Sequence, residues 1–293
     1  MQSTIMDRFS EKQVQISQFR AEFSACYLDL WSKIIMEWTS AGAPDCAWLA
    51  YSANYLFRTN NVRWAIDPLT LNWRLKEAPK VDAASDLKDL SFVLLTHRHA
   101  DHLDLDLLSA LRHLPITWVV PDSIRTTVIA QAGLPREQII APRHLEPIEL
   151  NGIRILPFKG LHWERTPDKR RRGVPAIGYL IELNGKRWLF PGDTRTYNAF
   201  QLPDFGHVDY IFAHLWLGRG CALMEKPPLI DAFCQFCFDL KPRRIILTHL
   251  NELGRNADDF WDASHAEKVC SRFHRMSSEV SVTPVETGGS VLL

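Results

Sequence analysis

The chain has no surplus of either charge sign, since 34 Lys and Arg face 34 Asp and Glu. The basic excess of a dedicated nucleic-acid binder is missing, so no nucleic-acid partner is expected. It also lacks any apolar run near the ~20 residues that a membrane-spanning helix needs. Residues through Glu11 carry no basic segment followed by an apolar one, so neither export nor a membrane span is expected and a cytoplasmic location is. Cysteine is sparse: six residues scattered over 293, unlike the dense disulfide frameworks of small secreted domains. Cys234 and Cys237 form a C-x-x-C without a second pair. Its flanks, Leu229, Ile230, Phe233, Phe236 and Leu240, have helical spacing, so it reads as buried reduced thiols rather than a redox or zinc site. No repeat, low-complexity tract or linker marks a boundary.

Aromatic material is plentiful, with ten Trp and fifteen Phe, enough for a large core and an aromatic-lined pocket. Residues 10–38 read as one amphipathic helix, because Ile16, Phe19, Phe23, Tyr27, Leu30, Trp31, Ile34 and Trp38 recur three or four apart. Its polar face mixes both charge signs, which favours packing on its own domain or on a second copy of the chain over a lipid surface. Residues 1–45 are therefore taken as an N-terminal helical extension and 46–293 as the main domain. That domain starts β-rich, with strands over 48–58 and 62–66 joined by a turn at Thr59-Asn60-Asn61. Asn151-Gly152 and Asn184-Gly185 mark two more hairpins, whose central positions favour positive φ. Helices are expected over 105–113, 123–132, 229–240 and 258–275. Hairpins early and late with helices between them argue for one α/β domain with mixed sheets.

The chemistry concentrates after the apolar run Phe92-Val93-Leu94-Leu95, where Thr96-His97-Arg98-His99-Ala100-Asp101-His102 leaves a strand end. On extended chain, residues i and i+2 share a face, so His97 and His99 can grip one ion. As the chain turns into a helix near Asp104, Asp101 and His102 can face a second. Three further apolar runs end in candidate ligands: His162 after 153–158, Asp193 after 188–190, and His249 after 245–247. One rim of a sheet is where α/β proteins assemble sites. One ion would take His97, His99 and His162, the other Asp101, His102 and His249, with Asp193 bridging. Imidazole and carboxylate suit zinc, iron or manganese, and the missing thiolate argues against a closed structural zinc site.

The order H-x-H-x-D-H, His, G-D-T, His resembles the metallo-β-lactamase superfamily, with Asp67 matching its first motif and the likeness running from about Ala47 to the C-terminus. The segments around 96–104 and His162-Trp163 most resemble the branch of ascorbate-6-phosphate lactonase and N-acylphosphatidylethanolamine phospholipase D. The resemblance implies a four-layer αβ/βα sandwich and two divalent metal ions, zinc by preference with manganese or iron as alternatives. It implies a hydrolase using a metal-bridged hydroxide on a phosphodiester or phosphate-bearing lactone or ester, thus a small-molecule or lipid-like substrate. A lactonase or amidase for an uncharged molecule and a non-catalytic metal-binding module are the alternatives. Asp101 would orient the nucleophile. His214, at the end of a strand over 208–213, is a candidate proton donor or substrate contact. Lys169-Arg170-Arg171-Arg172, in an expected loop, are candidates for an anion clamp through Arg170, Arg171 and Arg172. Trp163, Trp216 and Trp73 are candidate pocket walls. Self-association stays open.

Overall fold

The structure is a computed structural model that describes residues 2–42, 44–75, 80–166 and 168–293, with side chains from Asp7 onward. Helix α1 (Gln2–Thr39) opens it and starts earlier than the apolar spacing predicts. That spacing marks only the face that becomes buried, from Ile16 on, whereas the preceding turns carry mostly polar residues, and their Phe9 and Val14 stay exposed. A meander follows: β1 (Cys46–Leu49), β2 (Tyr55–Thr59) and β3 (Val62–Ile66). The single strand expected over 48–58 is thus split. Residues 50–54 fold back on themselves, with the Ala50 N–H donating to the Asn54 carbonyl at 2.8 Å.

The chain then alternates: α2 (Ala83–Asp86), β4 (Phe92–Leu94), α3 (Leu105–Leu111), β5 (Thr117–Val119), α4 (Asp122–Gln131) and β6 (Ile139–Ile140). A second sheet begins with β7 (Ile148–Leu150) and β8 (Ile153–Lys159). A separate small hairpin, β9 (Trp163–Arg165) and β10 (Arg171–Gly173), interrupts it before β11 (Ile177–Leu183) and β12 (Lys186–Phe190). It continues through β13 (Val208–His214), α5 (Ile230–Asp239), β14 (Pro242–Thr248), α6 (Ala263–Met276) and β15 (Ser281–Pro284). Strand β16 (Ser290–Leu292) crosses back to pair with β1.

The sheets have orders β16-β1-β2-β3-β4-β5-β6 and β15-β14-β13-β12-β11-β8-β7. Each is antiparallel on one side and parallel on the other, the parallel parts being β3 to β6 and β12 to β15. Alternation along the strands separates three layers of core. Phe57, Trp64, Leu94, Ile181, Phe190, Phe212 and Ile246 meet between the sheets. Their strand neighbours Leu56, Ala65 and Val93 point outward to α1 and α3, while Leu180, Leu189, Ile211 and Ile245 point outward to α5 and α6. This is the four-layer αβ/βα sandwich that the resemblance implies, and strands buried on both faces explain why so many read as unbroken apolar runs.

Helix α1 spends its apolar face inside the molecule. Phe23, Tyr27, Trp31, Ile34 and Trp38 join the outer core of the first sheet, and the Trp38 indole donates to the Phe57 carbonyl at 2.8 Å. The Asn-Gly hairpins form as expected, with φ of 52° and 79° at Asn151 and Gly152 and 51° and 75° at Asn184 and Gly185. The helix expected over 258–275 starts only at Ala263. Asp262 caps it, accepting from the Ser264 N–H at 3.0 Å, and the preceding 257–259 form a single tight turn. Cys234 and Cys237 are buried and free on α5, and burial pushes the Cys234 thiol up to about 12. Thiolate chemistry is correspondingly disfavoured there. Among the described residues, no helix is long and apolar enough to cross a membrane.

Candidate metal centre

The parallel strands set the site. Asp67 follows β3, His97 follows β4, Asp193 follows β12, His214 ends β13 and His249 follows β14. Asp67 and His249 stand at positive φ, 44° and 69°, conformations that non-glycine residues adopt at a cost and that concentrate where geometry serves function.

His99 Nδ1 stands 3.1 Å from His97 Nε2 and 3.0 Å from His162 Nε2, and Asp193 Oδ2 is 3.9 Å from His162 Nε2. Asp193 Oδ1 faces the other way, 3.3 Å from His102 Nε2 and 3.6 Å from His249 Nε2, while Asp101 Oδ2 is 3.4 Å from His249 Nε2. Two donor sets result, His97–His99–His162–Asp193 and Asp101–His102–Asp193–His249, each with its ligand atoms within 4.8 Å of one another. Four donors placed tetrahedrally at ~2.1 Å from an ion stand roughly 3.4 Å apart. The spacing therefore fits a cation in each set, and the two oxygens of Asp193 belong to different sets.

Hydrogen bonding fixes which atoms point inward. Asp67 Oδ1 accepts from the Thr96 N–H at 2.7 Å. Its Oδ2 accepts from Thr96 Oγ1 at 2.5 Å and from His102 Nδ1 at 2.8 Å. The Thr96 hydroxyl, having donated to Asp67, accepts from His97 Nδ1 at 2.9 Å. Both imidazoles thus carry their proton on the outer nitrogen and turn the Nε2 lone pair inward, the orientation a metal ligand requires. Asn54 ties this frame together by donating to the carbonyls of Asp67 and Asp101 at 2.7 and 2.9 Å. His102 Nε2 and Asp193 Oδ2 are buried without any hydrogen-bond partner, which leaves atoms that a cation would satisfy.

Charge follows the same plan. Burial holds His97 well below the ordinary histidine value and takes His162 down to about 3. Burial would also depress His102 and His249, but the Asp193 and Asp101 carboxylates outweigh it and raise both. Against their own burial, Asp193 and Asp101 are held well below the carboxylate range, by His249 and His102 and by His102 and His249 respectively. The carboxylates thus favour the charged form of His102 and His249, so each proton held there competes with a cation for the same nitrogen. Neutral imidazole and ionised carboxylate are the forms that bind metal.

Alongside lies a cavity of about 460 Å³ whose walls include His99, Asp101, His162, Arg172, Arg195, Trp216 and Arg255. Arg255 lies 3.7 Å from Asp101 Oδ2 and donates to Glu252 Oε2 at 2.5 Å.

A profile described as "Beta-lactamase superfamily domain" matches residues 63–250. The chain belongs to this superfamily. It is similar to a UPF0173 metal-dependent hydrolase of Anaeromyxobacter dehalogenans, 24% identical over 177 residues covering 57% of this chain and 63% of that one. The chain thus spans less than two thirds of that relative's length. Its fold is similar to Igni18, a metallo hydrolase from Ignicoccus hospitalis (TM-score 0.59, 19% identity, covering 85% of this chain and 98% of that). It is also similar to CmlA, a diiron β-hydroxylase from Streptomyces venezuelae (TM-score 0.60, 16% identity, 86% and 55%). At such identities the structural likeness speaks for the fold.

All seven residues expected to ligate metal converge: His97, His99, Asp101, His102, His162, Asp193 and His249. His214 lies behind them, buried, its Nδ1 donating to Asp193 Oδ1 at 3.0 Å. Burial lowers it to about 4 despite that carboxylate. Lys169 and Arg170 lie in the connection of the β9–β10 hairpin, as expected of a loop, whereas Arg171 and Arg172 enter β10, where pairing alternates their side chains. Arg172 faces the metal cavity. Arg171 stacks at 4.2 Å on Trp163, and both line a second cavity of about 570 Å³ on the hairpin's other face. Arg170 is exposed, lines neither cavity and lies 3.4 Å from Asp168. Trp216 lines the metal cavity, whereas Trp73 lies half exposed under the Arg74 guanidinium. Sequence reasoning missed Arg195, Glu252 and Arg255. Their signal was position alone, within six residues of a strand-end ligand.

Proposed function

We propose that the chain is a metal-dependent hydrolase with a binuclear centre, zinc by preference, acting on a phosphodiester or a phosphate-bearing ester or lactone. The observation that carries this reading is Asp193, whose two oxygens serve two complete donor sets beside an arginine-lined cavity. When bound, divalent cations supply Lewis acidity and make water nucleophilic near neutral pH. The chain's residues do the rest. Asp101, at the cavity wall with Arg255 and His249 beside its Oδ2, is placed to orient the attacking water and accept its proton. His214 donates to Asp193 Oδ1 and keeps that carboxylate aimed at both sets. Thr96 and Asp67 hold His97 and His102 in their ligating tautomers.

The test is turnover of bis(4-nitrophenyl) phosphate and of phosphorylated and neutral lactones by zinc-loaded protein. The expected result is hydrolysis of the anionic members, abolished by chelation and lowered about 100-fold or more by Asp101→Asn, the scale of a lost general base. No turnover of any member would overturn the hydrolase reading. Turnover of neutral lactones alone would overturn the substrate class.

A further inference from the structure

Arg195 follows the Pro191–Thr194 turn that delivers Asp193, and its backbone N–H donates to the Leu161 carbonyl at 2.9 Å, fixing it beside His162. Its guanidinium stacks on the Trp216 ring at 4.2 Å, and only 9% of the side chain is exposed. Among the described residues this guanidinium donates no hydrogen bond, and its nearest carboxylate oxygen, Asp193 Oδ2, is 3.7 Å away. Three other arginines of the cavity differ. Arg255 has Glu252, Asp101 and Asp259; Arg219 donates to Glu164 at 2.9 Å; Arg74 donates to the Tyr51 hydroxyl at 3.0 Å and lies 3.9 Å from Glu252. A planar fork of five N–H donors that meets no acceptor among the described residues and opens on the cavity is free to take an oxyanion there.

The surroundings say what completes it. The carboxylate nearest Arg195 among the described residues is the group shared by both donor sets, so loading those sets commits its charge to the cations. Arg195 then stands against a positive centre with its donors facing the cavity. Arg172, which also lines the cavity, makes no ion pair among the described residues. An oxyanion lying between the guanidinium and the metal centre relieves that repulsion and fills the fork, a geometry Arg suits better than Lys.

Resting on the hydrolase reading above, we propose that Arg195, braced by Trp216 and assisted by Arg172, binds a phosphate oxyanion of the substrate. It thereby acts as the cavity's selector for negative charge.

The experiment uses the full chain loaded with zinc and inorganic phosphate as the probe, titrated calorimetrically, with metal content and melting temperature recorded for each variant. Wild type should bind phosphate. Arg195→Met, which keeps bulk over Trp216 but removes charge and donors, should weaken binding about tenfold or more with metal content unchanged. Arg195→Lys should fall between the two, and Arg172→Ala should weaken binding less than Arg195→Met. Unchanged affinity in Arg195→Met would overturn the proposal. So would metal loss in that variant, which would show that Arg195 serves to position Asp193, and so would a wild type that binds no phosphate. The two readings fail separately. Arg195-dependent phosphate binding without ester turnover would sink the hydrolase and leave the anion site. Turnover of neutral esters without phosphate binding would do the reverse.

Discussion

Asp67 shows how much of the centre depends on a residue that need not touch metal. Its carboxylate accepts from Thr96 and His102 and, through Thr96, sets the tautomer of His97. Asp67→Asn would turn an amide NH2 toward one of these donors. The expected loss in zinc affinity is roughly 10–100-fold, the scale of lost outer partners of histidine ligands, measured by competition with a chelator. Unaltered affinity would show that the carboxylate does not orient the ligands. The raised His102 and His249 make a second prediction at this scale. Both must be neutral to ligate, so zinc uptake near neutral pH should release protons, and affinity should climb with pH until their raised values are passed. Calorimetry in buffers of differing ionisation enthalpy reads this directly, and uptake without proton release would contradict it. In chelated protein the sign reverses. The contribution of these two groups to stability is complete below the unfolded histidine value of about 6.5 and is lost as pH rises through their raised values.

Among elements, the β9–β10 hairpin adjoins His162, one of the proposed ligands, and supplies part of the cavity wall. Gly173 has φ 131°, and a Cβ there would strike the His162 carbonyl and the Trp163 backbone. Gly173→Ala should therefore cost about 1–3 kcal/mol of stability and loosen metal held by His162. Thermal melts with and without zinc check this, and wild-type behaviour in both would refute the close approach. Helix α1 carries its own test. Trp38 is fully buried and bonded to the Phe57 carbonyl, so Trp38→Ala should cost about 3–5 kcal/mol in urea unfolding. A change under 1 kcal/mol would mean that α1 is only loosely attached to the sheet it covers. These elements were unequally legible in the sequence. The buried face of α1 declared itself by spacing, because its buried residues Phe23, Tyr27, Trp31, Ile34 and Trp38 recur three or four apart. The basic run did not reveal that Arg171 and Arg172 enter a strand, because Lys169, Arg170, Arg171 and Arg172 carry no apolar period. Only pairing with Trp163–Arg165 separates Arg172 from Arg171.

At the scale of the whole molecule, a chain of zero net charge gathers its chemistry by topology, since parallel strands in both sheets end at one rim. The His97–His102 cluster was legible because its residues are adjacent in sequence and no packing role explains them together. His162, Asp193 and His249 were legible as strand-end polar residues after apolar runs. Arg195, Glu252 and Arg255 were not, because an arginine or glutamate in a loop has no local pattern and gains its role only from what the fold sets opposite it. The shared carboxylate of Asp193 is the claim on which the account rests. Anomalous scattering at the zinc edge from crystals of the zinc-loaded protein tests it most directly. The account predicts two peaks roughly 3.5–4 Å apart, one among His97, His99 and His162 and one among Asp101, His102 and His249, with an Asp193 oxygen on each. A single peak, or two peaks without Asp193 between them, would contradict it.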